Sequence, residues 1–268
     1  MIEELRKRWR EEVWLDHDWK FDRHRQSSPG ILDGMWIAHD PLFAPYGAYL
    51  KPTNKCTYPA AAREKIAADL AHDVGVPVAP VILTDAPPSF GSPQKEACVS
   101  LVTHPKQPPY SWALDGSMPL TPVVELMCSR AKEACSKIVV FDMWIGNYDR
   151  NTLDNIVYGE DEDAPERAAF CAIDHSSSMG GCGRVSTWRG DGWSDMQRLP
   201  FPPVLESHLD KATMLSAAIA IHSVLDSEIR HCVERIPERY MSSAIKNETV
   251  NGLLGRKQLL RAFVLQFS

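Results

Sequence analysis

Apolar positions recur at helical spacing near the start of the chain, alternate as short strand-like runs up to about residue 103, and return to helical spacing after residue 120. Ile2, Leu5, Trp9 and Val13 predict an amphipathic helix over residues 1–16. Ser27-Ser28-Pro29-Gly30 ends that pattern and predicts a loop. Residues 31–38 and 46–50 are rich in aromatic and strand-favouring side chains around a proline-containing turn, so a hairpin is expected there. Residues 57–73 predict a helix, with Pro59 in its first turn, Ile66, Leu70 and Val74 as a buried stripe, and Gly75 as its stop. The prolines within 76–83 place that run at a sheet margin, whereas residues 97–103 form a buried strand that His104-Pro105 terminates.

Beyond that point the pattern changes. Thr121 and Pro122 open a helix, and Val124, Met127, Ala131, Ala134, Ile138, Phe141 and Ile145 carry its apolar face to Gly146. Residues 156–158 and 169–173 read as hairpin arms around a charged tip at 159–167, followed by an aperiodic stretch from 176 to 203. The remainder is helical, punctuated at Pro237 and Gly252, with Leu215, Ile219, Val224, Ile229, Val233 and Ile236 expected in the core. A small sheet with one helix, then a mainly helical half, is an α+β arrangement, with a boundary expected near residue 105.

The polar residues that interrupt this pattern carry the chemistry. Gly146-Asn147-Tyr148-Asp149-Arg150 opens a stretch, running to Tyr158, that sets acids, an arginine and asparagines between an apolar helix and an apolar strand. Asp174-His175 punctuates the next apolar run. Lys51 closes a strand, and Glu64 stands beside the apolar stripe of the following helix, able to point back towards it. Lysine, glutamate, Asp-Arg loop, asparagine and second aspartate, in that order, are what phosphoryl transfer from ATP requires.

Composition narrows the classes. A net charge of −6 disfavours an extended nucleic-acid surface. Seven cysteines without a CxxC pair point to reduced, buried thiols, and the nine histidines form no zinc motif. No apolar run approaches the ~20 residues that span a bilayer, and the acidic start Met1-Ile2-Glu3-Glu4 does not read as a signal peptide, so a cytoplasmic protein is expected.

Across residues 27–180 the chain resembles the HipA-like kinases, relatives of the phosphatidylinositol 3- and 4-kinases within the wider protein-kinase-like fold. The matching residues are Tyr49-Leu50-Lys51-Pro52, Glu64 with Leu70 to Val78, Gly146 to Arg150, and Ile173-Asp174-His175. The resemblance implies a bilobal fold, residues 1–104 as the sheet-bearing lobe and 105–268 as the helical one. It implies Lys51 on the ATP phosphates with Glu64 as its ion-pair partner, Asp149 as catalytic base, and Asn155 and Asp174 as magnesium ligands. Asp154 stands as the alternative ligand, because Asn155 is one place further from Asp149 than such kinases usually set it. Adenine would meet the backbone from Val102 to His104, and Ser27 and Ser28 would lie in a nucleotide-covering loop where some relatives carry autophosphorylated serines. The implied activity is Mg²⁺-dependent transfer from ATP to a Ser or Thr hydroxyl of a protein, in a toxin-like role with an inhibitor or antitoxin protein as partner. The alternatives are a phosphatidylinositol-type lipid kinase and a nucleotide-binding pseudokinase.

Overall fold

A computed structural model describes residues 2–19, 23–25, 34–37, 40–43, 46–53, 59–87, 95–102, 132–147, 149–150, 155–161, 164–180 and 209–266. Helix α1 (Ile2–Glu11) precedes strands β1 (Arg23–Arg25), β2 (Gly34–Ile37) and β3 (Gly47–Pro52), helix α2 (Ala60–Asp73), and strands β4 (Val81–Asp85) and β5 (Glu96–Val102). Then come helix α3 (Lys132–Ile145), strands β6 (Ile156–Asp161) and β7 (Ala164–Ala172), and helices α4 (Lys211–Ser223), α5 (Asp226–Glu234) and α6 (Ser243–Gln266). The fold class is α+β, with an antiparallel sheet of order β1-β2-β3-β5-β4 and a separate β6-β7 hairpin.

Strand periodicity decides which way Lys51 points. Along β3 the buried residues are Ala48, Leu50 and Pro52, so Gly47, Tyr49 and Lys51 share the other face. Leu50 and its partner Val99 pack with Ile82, Trp19 and Phe43 in a small core on one side of the sheet. Lys51 lies opposite Cys98, and Cys98 packs with Val81, Leu83 and the alanines of α2 on the other. Every residue of α2 from Ala60 to Ala71 is buried. Its five alanines within the larger core let sheet and helices approach it closely, and the same core continues into α3, α4, α5 and α6.

Several expectations are revised. Helix α1 ends at Glu11, and the chain then extends: Leu15 N–H donates to Leu83 O at 2.9 Å and Leu83 N–H to Val13 O at 3.1 Å. The exposed edge of β4 supplies the partners that drew residues 13–15 out of the helix. Pro77 and Pro80 delay β4 until Val81. The run before it crosses to β7, with Ala79 N–H on Ala172 O at 3.1 Å and Ala172 N–H on Pro77 O at 2.8 Å. The charged run after Tyr158 is mostly strand rather than tip, because the β6–β7 ladder is made of backbone groups and continues beyond the core. Gly252 does not punctuate α6, whose packing on α3 outweighs a glycine penalty of about 1 kcal/mol. Trp144 Nε1 donates to Leu253 O at 3.0 Å, and Arg256 Nε donates to Met143 O and Trp144 O at 3.0 Å. Ile219 is 46% exposed, since the buried stripe of α4 is Met214, Ala217, Ala218 and Ile221. Residues 121–131 and the 181–203 stretch lie outside the described residues.

Glu64 owes its position to charges on another side of its helix. Lys65, fully buried, donates to Trp9 O in α1 and to Asp69 Oδ1 at 2.8 Å. Asp69 Oδ2 accepts from Arg235, which also donates to the Arg10 carbonyl at 2.7 Å. Burial holds the Asp69 carboxyl above its ordinary value against the pull of Lys65 and Arg235, and holds the Lys65 ammonium below its own against the pull of Asp69. Arg10 adds a two-pronged contact to Asp73 at 2.9 and 2.7 Å. Replacing Asp69 by Asn leaves Lys65 and Arg235 without their shared counter-charge and is expected to cost about 3–5 kcal/mol. Denaturant unfolding measures this as a lowered midpoint at unchanged slope; a change within experimental error would show that the three groups are not charged together.

Candidate active site

Helix α3 delivers the chain to the site through its C-terminus. Gly146 takes a left-handed φ of 64°, and Asn147 N–H returns to Asp142 O at 2.9 Å, closing a Schellman turn. The turn reverses the backbone so that Asn147, Asp149 and Arg150 pack back onto the helix end. Asn147 Nδ2 donates to Asp142 Oδ1 at 3.1 Å, and Asp149 N–H donates to Asn147 Oδ1 at 3.3 Å.

Arg150 is completely buried and spends its donors on four residues of three separate segments. Its Nε donates to Asp142 Oδ2 and its Nη2 to Asp142 Oδ1 at 3.3 Å. Its Nη1 donates to the Asn155 carbonyl and to Ile173 O at 3.0 Å, and its Nη2 donates to His175 Nε2 at 3.0 Å. Burial pushes the Asp142 carboxyl up, with Arg150 and Asn147 pulling it back. The Asp174 backbone thus sits between two residues held by one guanidinium, in a left-handed conformation with φ 58°.

Lys51 Nζ donates to Glu64 Oε1 at 2.9 Å and lies 3.5 Å from Asp174 Oδ1. The other Glu64 oxygen accepts the His175 N–H at 2.9 Å. Burial opposes the Lys51 charge, but Asp174 and Glu64 outweigh it and hold the ammonium well above the ordinary lysine range. For Asp174, burial would lift the carboxyl, but Lys51 and the Ser176 hydroxyl at 2.8 Å hold it well below the usual carboxylate range. For Glu64, burial pushes upward against Lys51 and the His175 N–H. Asn155 Nδ2 donates to the Asp149 carbonyl at 2.8 Å, and Ile173 N–H to the Asn155 carbonyl at 3.0 Å. Ser177 Oγ donates to Asp149 Oδ2 at 3.2 Å.

Lys51, Glu64, Asp149, Asn155 and Asp174 therefore meet in one connected cluster. Val102 closes β5 opposite Gly47, and Ser27, Ser28, His104 and Asp154 lie outside the described residues. The reading of the sequence missed Asp142, Ser176 and Ser177 and gave Asn147, though within the motif, no role of its own. A lone acid in the apolar run Phe141-Asp142-Met143 was the available signal for the first; nothing comparable marks Ser177. Asp149 is exposed and the Asp174 side chain is 36% exposed, while their supports Arg150, Asp142, Asn147 and His175 are buried. The set fits a hard divalent cation: Asp174 offers an ionised carboxylate, and with its Nδ2 engaged Asn155 keeps an amide oxygen available. A cavity of about 310 Å³ lined by Trp9, Asp69, His72 and Val78 contains none of the five residues.

No family model matches the chain, and no curated protein matches it by sequence. Solved structures do. The Helicobacter pylori proinflammatory kinase CtkA superposes with a TM-score of 0.59 at 13% identity, covering 95% of this chain and 99% of that one. The fold is shared with a kinase. HipA of Shewanella oneidensis MR-1, from a toxin–antitoxin complex with HipB and operator DNA, superposes with a TM-score of 0.51 at 13% identity, covering 99% of this chain and 72% of that one. At such identity the likeness is one of fold, and it agrees with the HipA-like resemblance carried by the motifs. No helix among the described residues is long and apolar enough to cross a membrane.

His175 gives the cluster a pH signature. Burial and the neighbouring Arg150 hold its pKa well below the usual histidine value, so the folded ring is neutral. Because Arg150 donates to Nε2, the proton is on Nδ1, which faces Glu64 Oε2 at 3.9 Å. The unfolded chain binds a proton on this ring below about pH 6.5 that the folded chain refuses, so stability is lost as pH falls through that value. Denaturant unfolding between about pH 7.5 and 5.5 should show a smaller loss in His175→Asn than in the parent; equal losses would place a charged imidazole in the fold.

Proposed function

We propose that the chain is a HipA-like kinase that transfers the γ-phosphoryl group of ATP to a Ser or Thr hydroxyl of a protein. The observation that carries this is the Lys51–Glu64 pair at 2.9 Å with Asp174 3.5 Å from the same ammonium, joined through Arg150 to the loop that presents Asp149. Lys51, oriented by Glu64, receives the nucleotide phosphates. Asp149, exposed and fixed at its backbone, orients the acceptor hydroxyl and takes its proton. Asn155 and Asp174 would hold Mg²⁺, which when bound neutralises charge on the phosphates and the leaving group. Residues 1–104 and 105–268 act as the two lobes of this kinase, and adenine binds near the end of β5 around Val102 to His104. An inhibitor of the antitoxin kind is proposed as partner, supported by the assembly of the Shewanella oneidensis relative with HipB. Action in the cytoplasm belongs to the same reading.

Transfer from γ-labelled ATP, tested in a lysate and with purified protein, separates the roles. Asp149→Asn should lower turnover by roughly 10²–10⁴, the weight of a general base, while keeping the stabilisation of about 2.7 kcal/mol expected at a hundredfold excess of Mg·ATP over Kd. Asp174→Ala should lose both. A parent that is stabilised but transfers no label is a nucleotide-binding module, and an Asp149→Asn protein as fast as the parent removes Asp149 from its role.

A further inference from the structure

Three consecutive serines follow Asp174-His175, and their hydroxyls do different things. Ser176 donates to Asp174 Oδ1 at 2.8 Å and Ser178 to the His175 carbonyl at 2.6 Å, both within their own turn. Ser177 instead reaches a residue 28 positions away, donating to Asp149 Oδ2 at 3.2 Å. This is the contact that an acceptor hydroxyl makes with a general base: an O–H directed at the carboxylate oxygen that is to take its proton. Ser177 is 7% exposed, whereas Asp149 is exposed. A carboxylate that opens to solvent therefore has one oxygen engaged by a hydroxyl of its own chain. The phosphate-binding end of the cluster is close in sequence and in space, since Lys51 lies 3.5 Å from Asp174, three places before Ser177.

Resting on the kinase reading above, we propose that Ser177 is an intramolecular phosphorylation site, its hydroxyl standing in the acceptor position of its own Asp149. The serine oxygen forms a bond to the γ-phosphorus of ATP as Asp149 takes the hydroxyl proton. The bond from that phosphorus to the β–γ bridging oxygen breaks, its electron pair leaving with ADP, and Asp149 later releases the proton to solvent. The product carries a phosphate of about −1.5 to −2 charge between two carboxylates. Like-charge repulsion and loss of the free base then shut the site to other acceptors, so the reaction limits itself. The residue is separate from Ser27 and Ser28, and a hydroxyl this buried cannot enter the site of another copy.

The test incubates phosphatase-treated full-length protein with Mg·ATP and maps phosphate by tandem mass spectrometry. Phosphate is expected on Ser177 in the parent and absent in Asp149→Asn, with a rate per molecule that does not change with protein concentration. Ser177→Thr should keep labelling at 177, controlling for the fold. Ser177→Ala should lose it and phosphorylate dephosphorylated casein about tenfold faster, the fold-change for releasing one hydrogen bond to a charged group. Label on other residues with none at 177, and slower casein labelling by Ser177→Ala, would overturn the proposal and leave Ser177 as a support for the base. Absence of label anywhere, on chain or casein, is the different outcome in which the kinase reading itself fails.

Discussion

The buried guanidinium of Arg150 is the interaction on which the site depends. A charge taken wholly out of water is tolerated only where it is paired and its remaining protons are accepted. Arg150 meets both conditions by drawing three segments to itself: Asp142 in α3, the Asn155 carbonyl at the start of β6, and the stretch after β7 that offers the Ile173 carbonyl and His175. A lysine has three donors on a point charge and no planar fork, so it could not hold these acceptors at their angles. Asp149 precedes this arginine and Asp174 lies between two of its partners. Both acids are placed through the backbone, and their carboxylates reach the open face of the site.

A second constraint acts on the sheet side. Glu64 has one oxygen on Lys51 and the other on the His175 N–H, so the glutamate couples β3 to the segment that Arg150 holds. That coupling requires α2 to stay in place. Its alanines allow packing on every side, and Lys65, the residue after Glu64, is tied to α1 and, through Asp69, to Arg235. The energetic cost of these buried charges secures orientation: α2 has one rotation that satisfies Lys51 through Glu64 on one side and, through Lys65 and Asp69, Trp9 and Arg235 on another.

Much of this was legible from residue order. The order of Lys51 and Glu64 allowed the glutamate to point back towards the lysine, the resemblance implied that they pair, and the Asp-Arg and Asp-His punctuations marked the turns of the site. What was illegible depends on partners distant in sequence. The β4 edge turned residues 13–15 into a strand-like extension, contrary to their helical spacing. Trp144 and Arg256 carried α6 through Gly252. Asp142 reads as a stray polar residue in an apolar helix until Arg150 folds back onto it. Ile219 failed as a core residue because it lies off the buried stripe of α4, where it is 46% exposed.

The charges of the cluster define what can bind there. Lys51 and Arg150 supply two positive charges against four carboxylates, those of Glu64, Asp142, Asp149 and Asp174, and His175 is kept neutral. Asp142 and Arg150 cancel within the buried brace, and Glu64 and Lys51 cancel beside it. Counted over the described residues, Asp149 and Asp174 remain as the surplus negative charge at the open face, with Asp174 sharing the Lys51 ammonium. A polyphosphate approaching that face meets like charge unless a divalent cation comes with it, and Asp174, held ionised by Lys51, is the group prepared to receive one. The same surplus explains why a hydroxyl, rather than a second anion, rests on Asp149: Ser177 offers a proton to a carboxylate that no cation among the described residues pairs.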